Sequence, residues 1–214
     1  MIREDGWLSE RIGHPVFTVD DPSAVPDGDS PRMYQARVPV EQVAVVRAFT
    51  SRGFSVIDTT LTLERAPVSA EAEDDVVRAS PEQRDAVVEI ARTSFRWSRF
   101  HLDPEVPDEA ANRIKADWIG SYFDGTRGDE LLVALDAHGP AGFLAVLVAA
   151  DGAHVIDLVA VAERARGRGF ARALTAASGA TRVGTQAANV AATGLYESMG
   201  FSLARAEYAL HLHI

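Results

Sequence analysis

Two glycines, Gly167 and Gly169, sit among four arginines in the segment RARGRGFAR, between an apolar run and an amphipathic one. Glycine lets the backbone approach a ligand closely, so several amide N–H groups and the positive end of a following helix can surround an anion. Arg164, Arg166, Arg168 and Arg172 concentrate positive charge there, with Glu163 the only acid nearby in sequence, in a chain whose net charge is -10. A polyphosphate is the ligand this segment suits. NAD suits it less, because the dinucleotide fingerprint needs a third glycine and a preceding parallel strand in a βαβ unit, and neither is read here.

Other residues offer acid–base or binding chemistry. Asp157 interrupts the apolar run VIDLVAV, where an ionised carboxylate is costly unless paired or functional. It is a candidate general base, and neutralisation by an arginine is the competing account. The segment FRWSRFHLDP offers Trp97, Arg99, Phe100 and His101, and Trp118 and Tyr122 follow on the next helix. These groups suit an acceptor with a ring and an anion, Arg99 gripping phosphate bidentately, although the same aromatics could serve as core. With no cysteine, disulfides, thiolate metal sites and a cysteine nucleophile are excluded. Of the six histidines none forms an HExxH pair; His211 and His213 stand two apart on a strand, and the expectation is no metal.

The elements that must position these groups follow from periodicity and turn chemistry. Val16 to Val19 reads as a short strand, Val40 to Arg52 as a helix and Ser55 to Leu63 as a strand. The aperiodic stretch APVSAEAEDD, residues 66–75, marks a boundary, dividing the chain into residues 1–66 and 67–214. Beyond it come a strand at Val76 to Ala79, a helix at Pro81 to Arg92 capped by Ser80, and a helix from Glu109 to Phe123. Three strands, Glu130 to Leu135, Ala141 to Ala149 and His154 to Val161, form an antiparallel meander. A helix at Gly169 to Gly179, a strand at Thr181 to Gln186, a helix at Val190 to Ser198 and a strand from Ser202 to His213 complete an α/β chain.

One similarity is internal. SRGFS at Ser51 to Ser55 matches SMGFS at Ser198 to Ser202, each between a helix and a strand. In that register Phe49 stands where Tyr196 lies and Gln42 where Asn189 lies, so the first segment lacks both groups and one active site is expected, in residues 67–214.

With 214 residues, 47% of them hydrophobic, the chain can bury a sizeable core, and no apolar run reaches membrane-spanning length. The net negative charge disfavours general binding to nucleic acid, which rests on neutralising phosphates. The N-terminal stretch MIREDGWLSERIG does not read as an export signal, and cytoplasm is the default expectation. Lys115 is the sole lysine, read as a compositional bias toward arginine rather than as function.

Arg166, Gly169 and Ala171, after a strand and at a helix start, resemble the R/Q-x-x-G-x-G/A loop of the GNAT superfamily of N-acetyltransferases. Asn189, Tyr196 and Gly200-Phe201 in NVAATGLYESMGF resemble that superfamily's second cofactor motif. Within it, RGFSVIDTTLTLE, SFRWSRFHLDP and TQAANVAATGLY are similar to the dTDP-fucosamine acetyltransferase family, sugar-nucleotide enzymes with a partial GNAT-like domain ahead of the full one.

The resemblance implies a mostly antiparallel mixed sheet flanked by helices, with acetyl-CoA as co-substrate. It implies that backbone amides from Val159 to Val161 hold the acetyl carbonyl and pantetheine. Arg166, Gly167, Arg168, Gly169, Phe170, Ala171 and Asn189 would bind the rest of the cofactor. Tyr196 takes the family's general-acid position, and a phenol stays protonated near neutrality. Asp157 is the candidate base, and Arg99, Phe100 and Trp118 the candidate acceptor contacts. The acceptor would be a primary amine of a small molecule, such as a nucleotide amino sugar. Alternatives are a polyamine, an antibiotic or a protein N-terminus, or an acyl-CoA sensor without turnover. Pairing of final strands would give a homodimer.

Overall fold

The computed structural model describes residues 1–26, 30–71 and 73–214, so Ala72 of the 66–75 stretch lies outside the described residues. Ten strands form one sheet: β1 (Ile2–Glu4), β2 (Val16–Val19), β3 (Met33–Pro39), β4 (Ser55–Glu64), β5 (Val76–Arg78), β6 (Glu130–Asp136), β7 (Gly139–Val148), β8 (His154–Val161), β9 (Arg182–Gln186) and β10 (Ser202–His213). Their spatial order is β1-β2-β3-β10-β4-β9-β8-β7-β6-β5. The helices are α1 (Gly6–Ile12), α2 (Val43–Ser51), α3 (Arg84–Ser94), α4 (Asp108–Phe123), α5 (Phe170–Ala177) and α6 (Val190–Ser198). None is long and apolar enough to cross a membrane among the described residues.

Strand alternation sorts the core around β6, β7 and β8 into two layers. Leu132 and Ala134 of β6, with Leu144 and Ile156, pack under α5 and α6 against Leu174, Tyr196 and Phe201. Leu131 and Val133, with Phe143, Leu158 and Ala160, meet Val87, Ile90 and Ala91 of α3 and Ile119 of α4 on the other face. The meander β6-β7-β8 is antiparallel, as its turn residues predict.

β8 pairs in parallel with β9, so β8, α5 and β9 do form a βαβ unit. That corrects one ground for disfavouring a dinucleotide: the parallel strand exists, and the missing third glycine remains. The helix predicted over Pro81 to Arg92 opens as a 3-10 turn at Pro81–Gln83, with Gln83 Oε1 accepting from Ser80 N–H at 2.9 Å.

The stretch after residue 65 divides the chain but not the sheet. β4, from before it, lies between β9 and β10, from after it. β10 is therefore interior, paired with β3 from Glu207 to His213 and with β4 from Ser202 to His211. The expected final-strand dimer has no free strand edge to use from Glu207 to His211, where both sides of β10 are paired.

The shift that carries Ser55 onto Ser202 also carries Val43–Ser51 onto Val190–Ser198. The β4–β10 ladder maps onto itself under that shift: Ser55↔His211 becomes Glu64↔Ser202, and the irregularity at Asp58↔Ala209 becomes the one at Thr62↔Arg205. Thr60↔Gln186 becomes Glu207↔Pro39. The two copies thus exchange their last strands about a pseudo-twofold axis at Thr60 and Glu207. Gly53 and Gly200, with φ of 90° and 83°, close α2 and α6 alike, as their left-handed conformation requires of glycine.

Candidate active site

The site opens where two parallel strands part. β9 pairs with β8 only at Val155↔Arg182 and Ile156↔Val183. Next to that point β8 carries an extra residue: Val146 of β7 faces Ile156 and Ala145 faces Leu158, leaving Asp157 as the bulge. Beyond it, Asp157 to Val161 and Gly184 to Gln186 form the two walls of a cleft of about 460 Å³. Val159 and Val161 thus stand at the expected divergence, with a β8 edge that no strand covers on the cleft side among the described residues.

Arg166, Ala171, Asn189 and Tyr196 line the same cleft. The strand-to-helix turn is lengthened by a 3-10 turn at Glu163–Ala165 and then passes through Gly167 and Gly169 at φ of 76° and 89°. Among the described residues the N–H groups of Gly167, Arg168, Gly169, Phe170 and Ala171 make no backbone hydrogen bond. With the N-terminus of α5 they form a nest suited to phosphate.

The arginines divide differently from their sequence spacing. Asp136 Oδ2 accepts from Arg164 at 2.6 Å and from Arg168 at 2.9 Å, so Glu163 is not the only acid at the loop. Asp136 is brought in by the β6–β7 turn, and the His138 N–H, followed by the paired arginines, holds its carboxyl below the usual range. Arg168 is therefore tied back, while Arg166 lines the cleft without an acidic partner among the described residues. The Phe170 side chain is buried in the core, which leaves only its backbone for a cofactor.

Asn189 caps α6, its Oδ1 accepting from Ala192 N–H at 3.3 Å. Tyr196 is 2% exposed and packs edge-on against Phe201. Its hydroxyl makes no hydrogen bond among the described residues, and burial raises its pKa, so it stays protonated.

Asp157 is poorly placed to be a base. Its Oδ2 accepts from Trp118 Nε1 at 2.7 Å, Tyr122 OH at 2.8 Å and Arg127 Nε at 2.8 Å, and its Oδ1 from Arg127 Nη2 at 3.1 Å. These donors outweigh burial and hold its pKa below the ordinary value. The paired account of this buried acid is the one the geometry supports. Asp157 ties the bulged strand to α4 and to the 123–130 turn.

The predicted acceptor contacts separate. Phe100 is 2% exposed and belongs to a core with Met33, Val106 and Ile114. Trp118 is half-buried and stands behind the lining residues of the cleft, its ring approached by Arg127 at 4.2 Å and Lys115 at 4.9 Å. Arg99 stacks on Phe100 and has no hydrogen bond or ion pair among the described residues. His211 and His213 do converge with a third group: Nδ1 of His211 and Nε2 of His213 lie 2.6 and 2.8 Å from the same Oδ2 of Asp103. The three offer metal-ligating atoms within 4.8 Å of one another, but the two contacts are at hydrogen-bond length and fasten the 95–107 loop to β10. Asp103 is distant in sequence from both histidines, so spacing could not have joined them.

Comparison with known proteins agrees with this architecture. Residues 127–203 match the acetyltransferase (GNAT) domain family. The spore coat polysaccharide biosynthesis protein SpsD of Bacillus subtilis is 27% identical over 99% of this chain and 83% of its own. A tandem GNAT protein from the clavulanic acid biosynthesis pathway superposes with a TM-score of 0.57 at 14% identity, over 94% of this chain and 76% of that one. A GCN5-related N-acetyltransferase from Sphaerobacter thermophilus gives 0.57 at 15% identity, over 86% of this chain but 60% of its own length. Residues 127–203 thus carry the match to a GNAT acetyltransferase domain, and the surrounding sheet shares its fold with solved proteins of that class. Enzymes of this class use acetyl-CoA as co-substrate.

Proposed function

We propose that the protein transfers acetyl from acetyl-CoA to the primary amine of a nucleotide amino sugar. The observation that carries the reading is the splayed β8–β9 cleft, which brings a phosphate-binding nest, an uncovered strand edge and an unpartnered tyrosine hydroxyl together. The similarity to a polysaccharide biosynthesis protein supports a sugar acceptor.

In this reading the acceptor nitrogen attacks the thioester carbon, the N–C bond forms, and the C–S bond breaks. Backbone N–H groups at Val159 to Val161 stabilise the oxyanion, a contribution worth about 3 kcal/mol per donor. Tyr196 donates its proton to the departing thiolate, and the amine's proton leaves through solvent. Arg166, Asn189 and the Gly167–Ala171 backbone hold the cofactor.

The test is mass spectrometry of products from acetyl-CoA with dTDP-amino sugars, free amino sugars, polyamines and peptide N-termini. An acetamido sugar nucleotide is the expected product. Acetylation confined to the other amines would overturn the sugar-nucleotide reading, and acetyl-CoA binding without any product would favour a sensor.

A further inference from the structure

The chain's single lysine is not on the surface, where a compositional accident would leave it. Lys115, on α4, is 7% exposed and lines the cleft beside Asp157. Its ammonium sits 4.9 Å from the rings of Phe95 and Trp118 and has no hydrogen bond or ion pair among the described residues. The nearest influential acid, Asp157, is already engaged by Arg127. Burying an unpaired cation is costly.

Two further cations stand next to the cleft on other elements: Arg99 follows the lining residue Ser98, and Arg37 bonds Thr60, which pairs with the lining residue Gln186. Arg99, on the α3–α4 loop, stacks on the Phe100 ring and has no hydrogen bond or ion pair among the described residues. Arg37, on β3, is exposed and donates to Thr60 Oγ1 at 2.9 Å. Arg99 and Arg37 both act on Lys115 electrostatically, and Arg37 acts on Arg99. Asp58 and Glu207 balance Arg37 in part, but Glu207 is itself paired with Arg205, and burial pushes the Asp58 carboxyl up. Asp5 and Asp58 act on Arg99 as well, but neither Lys115 nor Arg99 forms an ion pair among the described residues, and such under-compensated like charges suit an anion.

We infer that Lys115, on the cleft wall, and the neighbouring Arg99 and Arg37 form a phosphoryl-binding subsite separate from the Gly167–Ala171 nest. The inference deepens the proposed function and rests on it for the identity of the ligand: the bound group is the acceptor's diphosphate. Lysine supplies a compact charge between two rings, and the two arginines supply forked donors. Arg37 comes from the N-terminal copy, whose role would then be to complete the acceptor wall. Burial and the two arginines lower the Lys115 ammonium to about 8. A bound dianion would raise it.

The experiment is calorimetric titration of the CoA-saturated protein with inorganic pyrophosphate, so that the nest is already filled. Binding to the wild type that weakens about tenfold in Lys115→Met, and again in Arg99→Gln, is the expected result. Arg37→Gln, at an exposed position, should weaken it less and guards against variants that fail to fold. Absence of binding, or binding that none of the three variants alters, would overturn the subsite. Because the readout needs no turnover, its failure is distinguishable from failure of the acetyl-transfer reading. In turnover assays, the preference for dTDP-amino sugars over free amino sugars should fall about tenfold in Lys115→Met.

Discussion

The β3-α2-β4 and β9-α6-β10 halves share a backbone plan down to the ladder irregularities, yet differ at the positions that chemistry needs. Phe49 meets Phe54 edge-on at 4.9 Å, as Tyr196 meets Phe201 at 5.6 Å. Phe49 is sealed by Val19, Val38 and Leu210 in a closed core, whereas Tyr196 faces a cleft. The difference arises one strand away. β9 has β8 beside it, parallel and diverging after Ile156, while β3 has β2, which pairs with it from Val16 to Thr18. The fold repeats, but it is the half beside the bulged strand whose tyrosine position opens onto a cleft.

That contrast can be broken from either side. Phe49→Ala should be the most damaging to stability, costing about 3–5 kcal/mol as a large aromatic lost from a closed core, read by denaturant midpoint. Phe49→Tyr should lower stability by about 1–3 kcal/mol through an unsatisfied buried hydroxyl and add no activity. The glycine pair sharpens the comparison. Ala at Gly169 or at Gly53 forces a side chain into a left-handed conformation, at about 1–2 kcal/mol. Gly169→Ala should in addition weaken acetyl-CoA binding by about tenfold. Gly53→Ala should leave that affinity unchanged.

The smallest effect is in pH. Burial holds the His211 imidazole down at about 4 from an ordinary 6.5, so the folded state resists a proton that the unfolded chain accepts. Its contribution is complete above about 6.5 and is lost progressively as pH falls toward 4, a window read from the Tm. Asp103, with its pKa lowered by both histidines, keeps accepting through that range. His211→Gln should flatten the slope.

Much of this was legible in the sequence because it is local. The meander, the final helix and strand, the glycine-rich turn and the SRGFS/SMGFS echo each rest on residues within a few positions. What escaped is long-range. Asp136 reaches Arg164 and Arg168 only because β6 and β7 turn back beside the loop. The insertion of β4 between β9 and β10 depends on strand exchange that no single-segment pattern encodes. Lys115 reads as composition in the sequence, since its burial without an ion pair is a property of packing. Phe100 and Asp157 stood in the right segments, but burial made one a core residue and four hydrogen bonds made the other a strut.

The central claim is that chemistry resides in the C-terminal copy, with Tyr196 as proton donor. Single-turnover thiol release from saturating acetyl-CoA and a dTDP-amino sugar tests it most directly, wild type against Tyr196→Phe. The account predicts a fall of about a hundredfold or more in the release rate with acetyl-CoA affinity unchanged. Equal release rates in the two proteins would contradict it.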